Sequence, residues 1–190
     1  ENGVYEFELQ IKDKHSDDSP FLSLQPLEIN FPDDEVTISG IQLIENYKKA
    51  ETSSKLTKNG YDLVPYIYTF YPGNTNTLTF YTEIYNSEKI IGKSEKFLVS
   101  YYLQTMDKAN PLPGYTSHKK FESAPAVVVF NEFDITDLRS GNYFLIVEVK
   151  NRENELLAKN KLFFQRSNPR IQFTIEDLAG TEMERTFVGK

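Results

Sequence analysis

The chain of 190 residues has no cysteine, no tryptophan and only two histidines. Without cysteine there is no disulfide, no thiolate nucleophile and no sulfur ligand for zinc, and redox usage says nothing about compartment. A hydrolytic nucleophile needs a base beside it, and histidine is the usual one. His15 and His118 fall in stretches that read as a hairpin loop and a strand end, so neither is assigned to catalysis. Ser117-His118-Lys119-Lys120 carries the Ser-x-x-Lys spacing, but that motif works from a helix with partner motifs that this sequence lacks. Basic residues are in deficit too: Lys+Arg 21 against Asp+Glu 28 leaves −7. That sign disfavours nucleic acid and anionic membranes, whose binding is driven by clustered Lys and Arg. No apolar run approaches the ~20 residues of a membrane span; Ala126–Phe130 is among the longest. The polar opening Glu1-Asn2 is no signal peptide, which fits either a cytosolic chain or the cleaved part of an exported one.

What the sequence has is strands. Hydrophobic residues make up 39%, with Tyr 12 and Phe 14, enough for a packed core and weighted toward residues that suit pleated surfaces. From Tyr143 the apolar positions alternate as Tyr143, Leu145, Val147 and Val149, with Glu148 and Lys150 facing the other way. Asn151–Glu155 supplies turn chemistry, and Leu156–Phe164 returns as a second strand. Upstream, Asp137-Leu138-Arg139-Ser140-Gly141-Asn142-Tyr143 has the spacing of a tyrosine corner, in which a strand-start tyrosine bonds back to a backbone group a few residues earlier. Asp137, Gly141 and Tyr143 are its expected residues, with Gly141 expected at positive φ.

The N-terminus repeats this pattern. Gly3-Val4-Tyr5-Glu6-Phe7-Glu8-Leu9-Gln10-Ile11-Lys12-Asp13 matches Gly141 to Asn151 as Gly, any residue, Tyr, alternating apolar positions, then Lys and a turn former. Between the two copies, strands are expected at Val36–Ile44, Leu63–Tyr71 (interrupted at Pro65), Thr77–Asn86, Phe97–Met106 and Phe121–Phe133. Glu45–Gly60 reads as a long polar loop and Asp107–Gly114 as a Pro/Gly loop. The expectation is an all-β protein: an immunoglobulin-like β-sandwich of about seven strands over residues 36–166. Residues 1–35 would be the closing hairpin of a truncated preceding sandwich plus a junction, so that the chain is a fragment of something longer. The alternative, that residues 1–31 add strands to one larger sandwich, stays open at this level. Residues 167–190 would lead toward a missing helical domain, with Thr181-Glu182-Met183-Glu184 as a capping box.

The order of ISGIQLIENYKKA, LTKNGYDLVPYIYTFYP, LTFYTEIYN and FDITDLRSGNYFLIVEV with LFFQ resembles the β-sandwich region of bacterial GWxTD-domain proteins, over roughly residues 36–166. The naming motif is absent, since there is no tryptophan. The resemblance implies an exported, envelope-associated, extracytoplasmic protein (periplasm or cell surface) and transfers no catalytic residue.

The remaining candidates are binding residues. Tyr61, Tyr66, Tyr68, Tyr71, Tyr81 and Tyr85 cluster in the sequence, and Tyr66, Tyr68, Tyr81 and Tyr85 are the candidate surface for a protein or a glycan. The plainer reading has them covering the outside of a sheet. Asp17-Asp18 and Asp33-Asp34-Glu35 could attract calcium, but no EF-hand spacing is present and solvated acidic turns are the simpler account. No cofactor is expected. The function expected is a non-enzymatic interaction or scaffold module, with a carbohydrate-binding module as the alternative.

Overall fold

A strand whose every second side chain is apolar must lay that face on another layer, and Thr77–Tyr85 shows the rule most clearly. In the computed structural model, which describes residues 2–171, Leu78, Phe80, Thr82 and Ile84 are all fully buried at 0% exposure. Two sheets close over that face. One holds β3 (Thr37–Ile38), β4 (Gln42–Lys49), β5 (Thr57–Lys58), β6 (Tyr61–Pro65), β8 (Thr77–Tyr85) and β11 (Ala126–Asp134). The other holds β7 (Phe70–Tyr71), β9 (Lys96–Thr105), β10 (Pro111–Glu122), β12 (Gly141–Lys150) and β13 (Leu156–Arg166). The pairing orders are β11-β8-β4-β6-β5, with β3 also on β8, and β10-β9-β12-β13-β7. The core between them includes Leu78, Phe80 and Ile84 from one sheet and Val99, Leu103, Leu145, Val147 and Phe164 from the other. This is an immunoglobulin-like sandwich, in which β11 and β12 belong to different sheets and the link between them turns the corner.

That corner is built as a lock. The Tyr143 hydroxyl donates to the Arg139 carbonyl at 2.9 Å. Gly141 is not at positive φ; among the described residues the positive-φ glycines are Gly60, Gly92 and Gly114. The glycine is needed for another reason: a Cβ there would lie 3.2 Å from the Tyr143 hydroxyl and 3.3 Å from its ring, so the ring passes over bare backbone. Asp137 is exposed, and it is the Asp134 carboxylate that accepts the turn hydrogen bond, from the Thr136 amide at 2.8 Å. Two buried side chains at the end of β13 and just beyond it complete the lock. Arg166, 3% exposed, donates to the carbonyls of Pro72 and Thr75 at 2.6 Å and of Ile135 at 3.1 Å. Asn168 donates to the carbonyls of Thr136 and Leu138 at 2.8 and 2.9 Å.

Several elements depart from the sequence expectation. The polar stretch from Glu45 is loop only over 50–56: β4 runs to Lys49, and β5 and β6 meet in a two-residue Asn59-Gly60 turn with φ of 49° and 80°. Asn-Gly is the residue pair that such a turn requires. The expected strand over 63–71 is two strands in different sheets, because the chain crosses after Pro65 and β7 pairs parallel with β13. The expected strand over 121–133 is likewise divided at 123–125, and β10 uses the Pro/Gly stretch as an edge strand with a bulge between Pro111 and Thr116. A short helix α1 (Ser87–Ile91) replaces the turn after Asn86.

Residues 3–29 form a separate two-stranded sheet of β1 (Gly3–Ile11) and β2 (Phe21–Ile29), which shares no ladder with the sandwich. They are therefore not extra strands of one larger sheet. The capping box at Thr181–Glu184 lies outside the described residues.

Candidate functional site

The outward face of the six-stranded sheet carries more aromatic surface than a solvated sheet face needs. The same alternation that buries Phe80 turns Tyr81, Glu83 and Tyr85 outward. Tyr81 does not reach solvent: at 4% exposure it forms a second apolar cluster with Ile44 and Leu63, against which Val128 and Phe130 pack. The bulge in β4 between Ile44 and Asn46 then places Tyr47 opposite Leu63 on the same face. On that base stand Tyr47 and Tyr61, 41% and 42% exposed. Tyr47 meets Phe130 edge-on at 4.8 Å between ring centroids, while Tyr61 lies 6.3 Å from both Tyr47 and Phe130. Such ring pairs hold one another in place without burying both faces.

A polar row flanks the aromatics. Tyr81 and Tyr85 both donate their hydroxyls to the Glu83 carboxylate, and the Lys58 ammonium sits 5.1 Å over the Tyr81 ring. Burial raises the Glu83 carboxyl, but the two tyrosine hydrogen bonds and the Lys58 charge outweigh it and leave it below its ordinary value. Tyr81 is raised by burial and then by its bond to Glu83. Tyr85 is pushed up to about 12 by the same causes in the same order. Across β4 and β6, a depression of about 280 Å³ is lined by Asn46, Tyr47, Leu56, Asp62 and Val64 among others. The Thr57 hydroxyl donates to Asp62 there at 2.5 Å, fixing the β5–β6 hairpin at its rim.

The four tyrosines singled out from sequence do not share a surface. Tyr81 and Tyr85 lie on this outward face, the first covered and the second tied to Glu83. Tyr66 instead packs toward the main core, stacked on Tyr71 at 4.7 Å, with Tyr68 at 5.8 Å and 64% exposed. The residues that do form the exposed aromatic face, Tyr47 and Tyr61 held by the half-buried Phe130, were not among those four, although Tyr61 belongs to the wider run of tyrosines. Tyr47 sits in the stretch read as loop, and Phe130 in a strand whose inner valines dominated the pattern.

Neither histidine builds a catalytic group. The His15 amide donates to Asp13 at 2.8 Å in the hairpin loop. His118 Nδ1 meets the Ser100 hydroxyl at 2.8 Å on the edge strand β10. The carboxylate on the next strand, Glu148, is Ser100's other cross-strand neighbour, so serine separates acid from imidazole. A triad needs the imidazole in the middle. Glu148 is engaged instead by Tyr102 at 2.8 Å and Lys159 at 2.9 Å. Among the described residues no group of three His, Cys, Asp or Glu side chains is placed to hold a metal ion. Asp33 pairs with Lys89 at 3.2 Å in an exposed contact, and Asp18 accepts from Ser16.

No family model and no curated protein matches the sequence. Among solved structures, an immunoglobulin-like protein from Pseudomonas aeruginosa aligns with TM-score 0.33 and 16% identity, over 70% of this chain and 96% of that one. The Escherichia coli chaperone DraB aligns with TM-score 0.29 and 12% identity, over 60% of this chain and 57% of that one. A β-glucosidase from Kluyveromyces marxianus aligns with TM-score 0.28 and 12% identity, over 67% of this chain but 15% of that enzyme. The immunoglobulin-like architecture of this chain is read from its own sheet topology, and these alignments transfer no role to it.

Proposed function

We propose that residues 36–166 are a non-enzymatic recognition module that binds a protein partner through the outward face of the six-stranded sheet. The observation that carries this reading is the half-exposed pair Tyr47 and Tyr61, held by Phe130 over the covered Tyr81, Ile44 and Leu63. Rigid amphipathic rings on a stiff sheet contribute contact area at little entropic cost, and tyrosine is enriched at interface centres for that reason. Lys58 and Glu83 beside them supply charge of both signs for a polar rim. The resemblance to GWxTD-domain proteins supports placing the module outside the cytoplasm, as part of an envelope scaffold.

The test is capture of envelope proteins on the immobilised chain, followed by binding measurements with the captured partner. Tyr47→Ser and Tyr61→Ser should each weaken binding about tenfold or more, while Tyr68→Ser should leave it unchanged. Equal affinity in all three variants would sink the reading. Saturable binding on a glycan array, lost in Tyr85→Ala, would replace the protein partner with a carbohydrate.

A further inference from the structure

The β1–β2 hairpin repeats the pairing register of β12–β13 from its glycine–tyrosine end, with Gln25 opposite Phe7 where β13 has Leu162 opposite Leu145. Gly3 pairs with Ile29 and Tyr5 with Leu27; Gly141 pairs with Arg166 and Tyr143 with Phe164. In both copies the glycine lies under the tyrosine ring: a Cβ on Gly3 would come 3.3 Å from the Tyr5 ring, matching the 3.3 Å at Gly141. The inward rows run Tyr5, Phe7, Leu9, Ile11 against Tyr143, Leu145, Val147, Val149. The third rung carries one polar residue in each, Ser23 opposite Leu9 and Asn160 opposite Val147. Asn160 uses its amide to hold the Ser39 carbonyl of the facing sheet at 2.8 Å.

The difference is burial. Leu145, Val147 and Val149 are 0% exposed, whereas Phe7, Leu9 and Ile11 are 53%, 43% and 57% exposed. The other face of the hairpin carries Glu6, Glu8, Gln10 and Glu28 together with Val4, Leu22, Leu24 and Pro26. The Tyr5–Ile11 face is the more apolar of the two, as the inner face of a sandwich sheet is. A lone hairpin is marginal in water.

We propose that the Tyr5–Phe7–Leu9–Ile11 face is the closing ribbon of a second immunoglobulin-like body on the same polypeptide. The occupant follows from continuity with the interface already formed in this chain. On β12–β13 the equivalent face is covered by β8 and β11, and the outer edge of β12 pairs with β9. The cover for β1–β2 is accordingly an apolar facing sheet, plus an antiparallel strand along the open edge of β1, with Ser23 bonding a backbone group of the facing layer. A second copy does not fit this role, because its body already contains β12–β13 in that position. Two hairpins pressed face to face would leave every strand edge open.

Amide hydrogen exchange separates the possibilities. It is measured on the 190-residue chain and on the natural polypeptide that includes whatever coding sequence precedes Glu1. In the short chain, the amides of Tyr5–Ile11 should exchange fast while those of Tyr143–Val149 stay protected. In the longer polypeptide, protection of Tyr5–Ile11 should rise by about two orders of magnitude or more, toward that of β12. Phe7→Glu with Leu9→Glu should abolish the gain while leaving β12 protection unchanged, and Glu8→Lys should not. Unchanged fast exchange in the longer polypeptide would overturn the proposal. So would a preceding coding region shorter than roughly 50 residues, below the usual size of a domain. Protection that instead grows with concentration of the 190-residue chain, with a dimer mass in ultracentrifugation, would assign the face to a second copy.

Discussion

Two hairpins of one design sit in this molecule, and only one of them is inside it. β12–β13 closes a finished sandwich, and β1–β2 presents the same pattern to solvent. The contrast shows that alternation specifies which face a strand must bury, but not what buries it. The energy of a residue in such a ribbon comes from the layer laid over it.

The largest effect should come from truncating matched rungs. Leu145→Ala is expected to cost about 3 kcal/mol, the usual range for a fully buried leucine. Phe7→Ala in the same chain should cost less than about 1 kcal/mol, as for exposed substitutions. Urea denaturation of both variants checks this; equal losses would mean that the N-terminal face is already covered. Next is the end rung, where Arg166 faces Gly141 and Ile29 faces Gly3. Arg166→Met strands one buried and two half-buried carbonyl acceptors and should cost about 2 kcal/mol, with Ile29→Ala well below it by the same measurement.

The two corner glycines come third. Gly141→Ala pushes the Tyr143 ring off its seat and should cost about 1–2 kcal/mol through the lost corner bond and local crowding. Gly3→Ala should register only in exchange rates within the hairpin. Tyr143→Phe removes the bond to Arg139 alone and should cost about 1 kcal/mol. A melting midpoint unchanged within error would mean that the hydroxyl contributes nothing to the corner.

The smallest effect is a pH dependence confined to the sandwich. Tyr81 and Tyr85 have folded-state pKa values above the ordinary tyrosine value, so they favour the protonated, folded form. Their contribution is complete below pH ~10. It is lost as the pH rises from there toward the folded value of about 12 for Tyr85. Tyr81→Phe and Tyr85→Phe together should make the alkaline limb of a stability curve shallower, the remaining slope belonging to Tyr66, Tyr71, Tyr102, Tyr115 and Tyr143, which burial also raises. A limb equally steep in the wild type and the double variant would show that these two hydroxyls contribute nothing to it.

The sequence alone determined the strands that lie fully between layers. In Thr77–Tyr85 and Gly141–Lys150 each residue's face is dictated by its neighbours two positions away, so a local pattern suffices. The repeat of Gly-x-Tyr, and the bond that the second tyrosine makes, belong to the same class of local information. Only the tertiary structure decided where edge and polar strands go. β4 beyond Ile44, β5 and β10 have little apolar face to alternate, and what makes them strands is hydrogen bonding to β6 and β9, which no side-chain pattern announces. The Asn59-Gly60 turn was legible as turn chemistry, but its flanks were too polar to declare themselves strands. The crossing after Pro65, and the division at 123–125, depend on which sheet offers a free edge. The aromatic face shows the same limit. Tyrosine content marks it in sequence, but whether Tyr81 is a platform or a foundation depends on Ile44, Leu63 and Phe130 arriving over it from three other strands. A side chain's face is set by its nearest neighbours in the chain, while its cover is set by residues many positions away.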